Sequence, residues 1–494
     1  MRTSIIEPKD TPTMITITRR QARRLRAVFR RHALGIAHRG SVPPLVFRAD
    51  PDAGLRVRHL LPDLAVECLL PGTDRPEEMI ALPLDALADF EGKDDVAVIL
   101  EAPTPGRTVV RWGDRGIPQS REYAIPEVSC LPAFPEPPEV FETCPAGLLD
   151  ALAEAVETTD EGSTRYALDC IQLKGSTGEV VATDGRQILI QGGFRFPWEG
   201  DLLVRRTPIF AVRELPRDRP VEVGRTDTHV AIRAGSWTIW LAVRADARFP
   251  RIEHAIPAAQ AAATRLRFDP EDARFLGRSL DRLPGGDAAN APVTVDLNGE
   301  VAVRARAEGG GRVTELVLAR SGYTGEPVQL NTSRHFLARA VRLGFAEVDV
   351  VGPEDPVACR DDRRAYLWQP LSRESAIGPS DDAVRIESVG TGPAVGPVEH
   401  PHEEVVVGEP VPESRPVEQH TAAPHGTANG LATGGAGGLA ALIGEAEALH
   451  DALADAKART HRLIGALRRH RKQARLTSAT LAALRQLKLQ EVAE

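Results

Sequence analysis

The stretch Arg165–Ile190, RYALDCIQLKGSTGEVVATDGRQILI, contains two strand-like segments, Ala167–Leu173 and Val180–Thr183, and returns to an alternating apolar run after Asp184-Gly185. Asp-Gly between two alternating runs is a strong hairpin signal, because glycine takes positive φ without steric cost. Taken alone, Thr183-Asp184-Gly185 specifies only a turn. Its meaning comes from what surrounds it.

Outward from this hairpin, a pattern recurs three times before residue 373. Each copy opens with a short strand that leads into an amphipathic helix: Ile15–Ile17 into Arg19–Leu34, Val140–Thr143 into Ala146–Glu157, and Leu266–Phe268 into Pro270–Leu283. The starts lie about 125 residues apart, a domain-sized period. A second, shorter helix recurs at Leu84–Phe90, Thr207–Arg213 and Ser333–Leu343. It is followed each time by an alternating strand, at Val96–Leu100, Val221–Gly224 and Glu347–Val351. Between the helices lie strand pairs such as Leu45–Arg48 with Leu55–His59, and Val293–Asp296 with Val301–Ala305. The pattern predicts an α+β chain of three tandem domains, each with two helices on antiparallel sheets, at 14–136, 137–261 and 262–373.

Beyond residue 373 the composition changes. Residues 374–438 are rich in Pro, Gly, Glu, Thr and His and poor in large apolar side chains, which predicts a disordered linker. Residues 439–490 are rich in Ala, Leu and Arg. Leu442, Leu449, Leu453, Leu463 and Leu467 fall near one stripe, which predicts an amphipathic helical extension, acidic in its first half and basic in its second.

With 494 residues, 42% hydrophobic and 26% charged, the chain has the composition of a soluble multidomain protein. It has no apolar run long enough for a membrane span and no secretion-signal pattern at its start, so a cytoplasmic protein without a membrane partner is expected. The five cysteines are scattered without metal or redox spacing and read as small buried hydrophobes. The chain carries no phosphate-binding loop, nucleophile elbow or zinc-protease motif. No enzyme activity, catalytic residue, metal or cofactor is therefore expected.

A net charge of −8 still allows a local basic stripe. In the first helix Arg19, Arg23, Arg26 and Arg30 share one face, while Ala22, Leu25 and Phe29 share another. Arg274, Arg278 and Arg282 repeat the stripe in the third copy. A solvated helix face would show the same pattern; two of three equivalent helices carrying it points to a nucleic-acid backbone. The equivalent helix of the middle copy has Asp150, Glu154 and Glu157, which would repel phosphates.

Arg165-Tyr166-Ala167-Leu168 and Val181-Ala182-Thr183-Asp184-Gly185-Arg186-Gln187-Ile188 resemble the middle domain of the bacterial sliding clamps, the beta subunits of DNA polymerase III. Arg248-Phe249-Pro250 with Ala255-Ile256-Pro257 is similar to the family's exit from that domain, and Phe134-Pro135 to the equivalent link between the first two. Ala365-Tyr366-Leu367-Trp368-Gln369-Pro370-Leu371 is similar to its closing strand. The resemblance spans residues 14–372. It implies a half-ring that forms a head-to-tail homodimer around double-stranded DNA, with DNA polymerase and clamp-loader subunits as partners. A peptide-binding pocket is implied at Leu168, Thr183, Gly185, Arg186, Ile188, Pro250, Ala255, Leu367, Pro370 and Leu371. Arg186-Gln187 replaces the family's His-Arg, Gln369 and Leu371 replace methionines, and the chain runs more than a hundred residues past the usual end. These departures motivate the alternative of a clamp-derived scaffold acting outside replication and recruiting partners through its C-terminal extension.

Overall fold

The structure is a computed structural model, and it describes residues 13–32, 42–72, 77–125, 131–162, 166–288 and 290–388. Arg165, Cys130, the linker beyond Ser388 and the helical extension at 439–490 lie outside the described residues. The chain divides into two compact units, Met1–Pro397 and Val398–Glu494, and all described residues belong to the first.

The first domain runs β1 (Thr13–Thr18), α1 (Arg19–His32), β2 (Leu45–Asp50), β3 (Gly54–Leu61), β4 (Leu64–Leu70), β5 (Glu78–Leu82), α2 (Leu87–Phe90), β6 (Ala97–Thr104), β7 (Arg107–Asp114) and β8 (Ile117–Ala124). The second repeats this order as β9 (Phe141–Cys144), α3 (Gly147–Glu157), β10 (Cys170–Lys174), β11 (Glu179–Thr183), β12 (Gln187–Gln191), β13 (Asp201–Arg205), β14 (Val221–Arg225), β15 (His229–Ala234) and β16 (Trp237–Ala242). In the third come β17 (Thr264–Arg267), α4 (Pro270–Ser279), β18 (Pro292–Asn298), β19 (Glu300–Ala305), β20 (Thr314–Val317), β21 (Gly322–Gly325), β22 (Val328–Ser333), α5 (Arg334–Arg342), β23 (Glu347–Val350), β24 (Val357–Arg360) and β25 (Arg364–Trp368). A final strand, β26 (Val384–Glu387), follows.

Local chemistry sets the helix starts. Thr18 and Gln21 form a reciprocal capping box at α1: the Gln21 amide donates to Thr18 Oγ1 at 3.1 Å, and the Thr18 amide donates to Gln21 Oε1 at 2.8 Å. Asp269 caps α4 by accepting from the Glu271 amide at 2.8 Å, with Pro270 in the first helical position. The second helix expected at Thr207–Arg213 is only a 3-10 turn, Pro208–Ala211. Val212 is already extended there, and Leu215-Pro216 disfavours helix just beyond.

Sheet topology shows how the copies join. Every domain has a first-half sheet (β5-β2-β3-β4, β13-β10-β11-β12 and β22-β18-β19-β20) and a second-half sheet (β1-β6-β7-β8, β9-β14-β15-β16 and β17-β23-β24-β25). Strand β4 pairs antiparallel with β16, and β12 with β25, so the first half of one domain continues into the second half of the next. One core runs from Ile15 to Leu241 through the first two domains, while the third has its own, which Leu189 of the second domain joins.

The third domain extends further than composition suggests. After Pro370 the chain stays packed on it: Ile377 is 7% exposed and its amide donates to Thr294 Oγ1 at 2.7 Å, and β26 then pairs parallel with β20. The linker expected from residue 374 is therefore ordered over its described residues, 374–388, because one buried isoleucine and one strand edge anchor an otherwise polar run.

Candidate functional site

Helix α1 has seven arginines among its 14 residues and no acidic residue. Ala22, Leu25, Val28 and Phe29 are buried, and burial of a leucine or phenylalanine of this kind contributes roughly 1.5–3 kcal/mol, so the core face fixes the orientation of the helix. Its arginines divide into two groups. Arg19 is largely buried: it pairs with Asp94 at 3.3 Å and Asp114 at 3.0 Å, and donates to the carbonyls of Phe90, Glu91 and Gly113. Arg26 pairs with Glu91 at 2.7 Å, and Arg20 with Asp95 at 2.9 Å. Arg23, Arg24, Arg30 and Arg31 are exposed and have no carboxylate partner among the described residues, although Arg24 donates to Ser236 Oγ at 3.0 Å. Arg20, Arg23, Arg24, Arg26, Arg30 and Arg31 line one open concavity of about 620 Å³. Of the expected stripe, Arg19 is committed to the first domain's own fold, and Arg26 is half neutralised. Arg24 and Arg31 were missed by the four-residue spacing, although both follow from the plain density of arginine.

In the third domain Arg274, Arg278 and Arg282 are all exposed on or just after α4. Arg274 is held by Glu271 at 2.7 Å, while Arg278 donates to the Arg274 carbonyl at 3.2 Å. The acidic helix of the middle domain presents less charge than its sequence suggests. Asp150 pairs with Arg217, and Glu157 pairs with Arg339 of α5 at 3.0 Å. Arg339 also donates to the Glu154 carbonyl at 2.5 Å and to Thr158 Oγ1 at 2.8 Å, so it binds the C-terminal end of α3 where the helix dipole is negative. Burial raises the Glu154 carboxyl above its ordinary range.

The turn at Asp184-Gly185 is looser than a two-residue hairpin. Thr183 pairs with Ile188 across it, and the Asp184 carboxylate accepts from the amides of Arg186 at 2.8 Å and Gln187 at 2.9 Å. Gly185 has φ of +87°, and a side chain there would meet Leu168 at ordinary contact distance, so these two expected pocket residues are neighbours. Ile188 lies opposite Leu367 on the adjacent strand, and both belong to a small cluster with Val181, Ile252 and Ala358, flanked by Phe249 and Ile256. Leu367 is 1% exposed and is floor rather than surface. Thr183 is also buried, donating to the Gln187 carbonyl at 2.7 Å. Phe249 additionally touches a second cluster of Ala167, Cys170 and Leu203. Pro250 is half-buried beside it in sequence, Ala255 stands exposed at the end of a 3-10 turn, and buried Pro370 precedes Leu371, whose amide donates to the carbonyl of Asn331 of β22 at 2.8 Å. Phe249, Ile252 and Ile256, which lie outside the expected pocket residues, belong to or flank the same cluster.

Two residues of this region join domains. Gln187 accepts at Oε1 from the buried Tyr366 hydroxyl at 2.7 Å, and Arg186 reaches Asn290 of the third domain at 2.9 Å while its carbonyl accepts from the Gln369 amide at 2.9 Å. A counterpart groove of about 220 Å³ lies on the first domain, lined by Pro44, Val46, Leu60, Met79 and Phe134, with the Arg58 guanidinium 4.7 Å from the Phe134 ring centre.

Among the described residues no cluster of three His, Cys, Asp or Glu side chains could hold a metal ion, and no helix is long and apolar enough to cross a membrane. Cys68, Cys144, Cys170 and Cys359 are free and buried, and burial pushes the Cys68 and Cys170 thiols up to about 12.

No protein-family model and no curated protein matches the sequence. Solved structures do match in fold. A sliding clamp (DNA polymerase III subunit beta) from Pseudomonas aeruginosa aligns with a TM-score of 0.60 at 15% identity, covering 73% of this chain and 100% of that one. The DNA polymerase sliding clamp of Bacillus subtilis gives 0.60 at 17%, again over 73% and 100%. The DNA polymerase III beta subunit of Thermotoga maritima gives 0.59 at 13%, over 73% and 99%. With three matching domains joined through shared sheets, this chain has the fold of the bacterial sliding clamps, the beta subunits of DNA polymerase III.

Proposed function

We propose that this chain is a DNA sliding clamp or clamp-like processivity factor. It encircles duplex DNA without reading sequence, and it tethers a DNA polymerase and other clients, clamp-loader subunits among them, at the apolar patch around Ile188, Phe249 and Ile256. No bond is made or broken; the gain is in effective concentration, because a client bound to a closed ring stays near its template after each local dissociation. The observation that carries this reading is α1, where four arginines without carboxylate partners among the described residues face one concavity. Guanidinium groups without carboxylate partners among the described residues, spread along a helix, suit phosphates at many positions and discriminate poorly between bases. Arg274, Arg278 and Arg282 of the third domain would add to the same binding surface, and cytoplasmic residence follows from such a role.

The test is topological. Loaded by the host clamp loader, the protein should remain on a nicked circle through gel filtration and leave when the circle is linearised. Equal retention on both forms, or on neither, sinks the proposal. A clamp-derived scaffold acting outside replication is the second reading. It is favoured by β26, which occupies a sheet edge that a ring would need.

A further inference from the structure

Three sheet edges are equivalent in this fold, and they do not have equivalent occupants. Strand β4 is continued by β16 and β12 by β25, in each case the last strand of the next domain's second-half sheet. The third edge, β20, has no next domain among the described residues. Correspondingly, the second-half sheet of the first domain, β1-β6-β7-β8, ends at β8, whose outer edge pairs with no strand among the described residues. By the rule that joins the domains within the chain, β20 of one copy fits β8 of another.

Strand β26 lies on that edge. It pairs parallel with β20, Thr314 opposite Val384 and Val317 opposite Glu387. The Val384 amide donates to the Val313 carbonyl at 2.8 Å, and the Ser388 amide to the Val317 carbonyl at 2.9 Å. Arg385 ties the strand across the sheet, reaching Glu300 at 2.6 Å and Glu315 at 3.2 Å. We infer that residues 379–388 form a strap over the β20 edge, and that the strap and a second copy of this chain compete for it.

The two competitors differ in strength. All four residues of β26 are exposed, Val384 at 40% and Ile386 at 43%, so the strap is held by edge hydrogen bonds and surface ion pairs with little apolar burial. Strand β8 is eight residues long, and among the described residues no strand occupies its outer edge. Ile117 faces Asp114 across the two-residue turn Arg115-Gly116, so by alternation the amides of Ser120 and Glu122 point away from β7. Pro118 sits at an outward position too, where it removes no hydrogen bond to β7. An unpaired strand edge of this kind is a template for another strand, and the strap removes one of the two such edges from each copy.

The head-to-tail order rests on the ring proposed above, and the experiment separates the two. Sedimentation equilibrium is run on the full chain, on the full chain carrying Arg385→Glu with Ile386→Pro, and on a chain ending at Gly378, which keeps the buried Ile377. A strap that occupies its edge most of the time raises the apparent dissociation constant of the closed dimer by the square of the reciprocal of its free fraction, because both β20 edges must be free, so both altered chains should dimerise at least about tenfold more tightly than the full chain. Adding Ser120→Pro to either should abolish that dimer while leaving the circular-dichroism melt of the monomer in place. Dimers of equal affinity in all three chains would overturn the strap and leave the ring standing. Monomers throughout, at the highest concentrations reached, would overturn both.

Discussion

Helices α1 and α5 are both rich in arginine and use it in opposite ways. On α1 the guanidinium groups of Arg23, Arg24, Arg30 and Arg31 face solvent without carboxylates among the described residues. On α5, Arg334 is 1% exposed and donates to the carbonyls of Ala291, Leu280, Leu283 and Pro284 at 3.2, 3.3, 2.6 and 2.6 Å, and Arg339 is 5% exposed at the end of α3. The same side chain is a solvated positive charge in one place and a rigid multi-donor cap in the other. Burial and the supply of unpaired carbonyls decide which. Burial also lowers the Arg334 pKa below its ordinary value, a cost met by four acceptors around one cation.

This contrast can be tested by exchanging effects. Arg334→Ala should lower stability by about 3 kcal/mol in urea melting, because it strands buried carbonyls, yet leave the salt dependence of DNA binding unchanged in whatever remains folded. A change under about 1 kcal/mol would mean that water replaces the guanidinium. Arg339→Ala should cost about 2 kcal/mol and also loosen the second domain from the third, read as faster hydrogen exchange at the C-terminal end of α3. Replacing Arg23, Arg24, Arg30 and Arg31 together by alanine should change stability by less than about 0.5 kcal/mol, since none is buried or ion-paired among the described residues. In a fluorescence titration it should reduce the slope of log affinity against log salt by about 0.9 for each phosphate no longer neutralised. An unchanged slope would remove α1 from the DNA path. Gly185→Ala should cost about 1 kcal/mol in urea melting, from the positive φ, with no clash against Leu168.

Much of the architecture was legible because it is written in local pattern. The strand-helix starts at Ile15, Val140 and Leu266 lie within about two residues of β1, β9 and β17, since alternation and helical spacing depend on near neighbours. The candidate site was legible only in part. Ile188 and Leu367 do meet, on paired strands, whereas the role of Phe249 as the shared wall of two apolar clusters has no sequence signal beyond its place in Arg-Phe-Pro. Arg19 looked like its neighbours in the stripe because helical spacing cannot show Asp94 and Asp114, which arrive from 75 and more residues away.

The sequence by itself determined three copies of one domain, their order, and a density of arginine at the first helix, because repeat, period and composition are properties of the chain. Tertiary structure alone decided which arginines remain free of carboxylates among the described residues, that Asp150 and Glu157 of α3 are paired with Arg217 and Arg339, and that β26 covers the edge of β20. Charge partners and strand edges are set by residues far apart in sequence, and a four-residue strand in a polar tail becomes visible only beside the edge it fills.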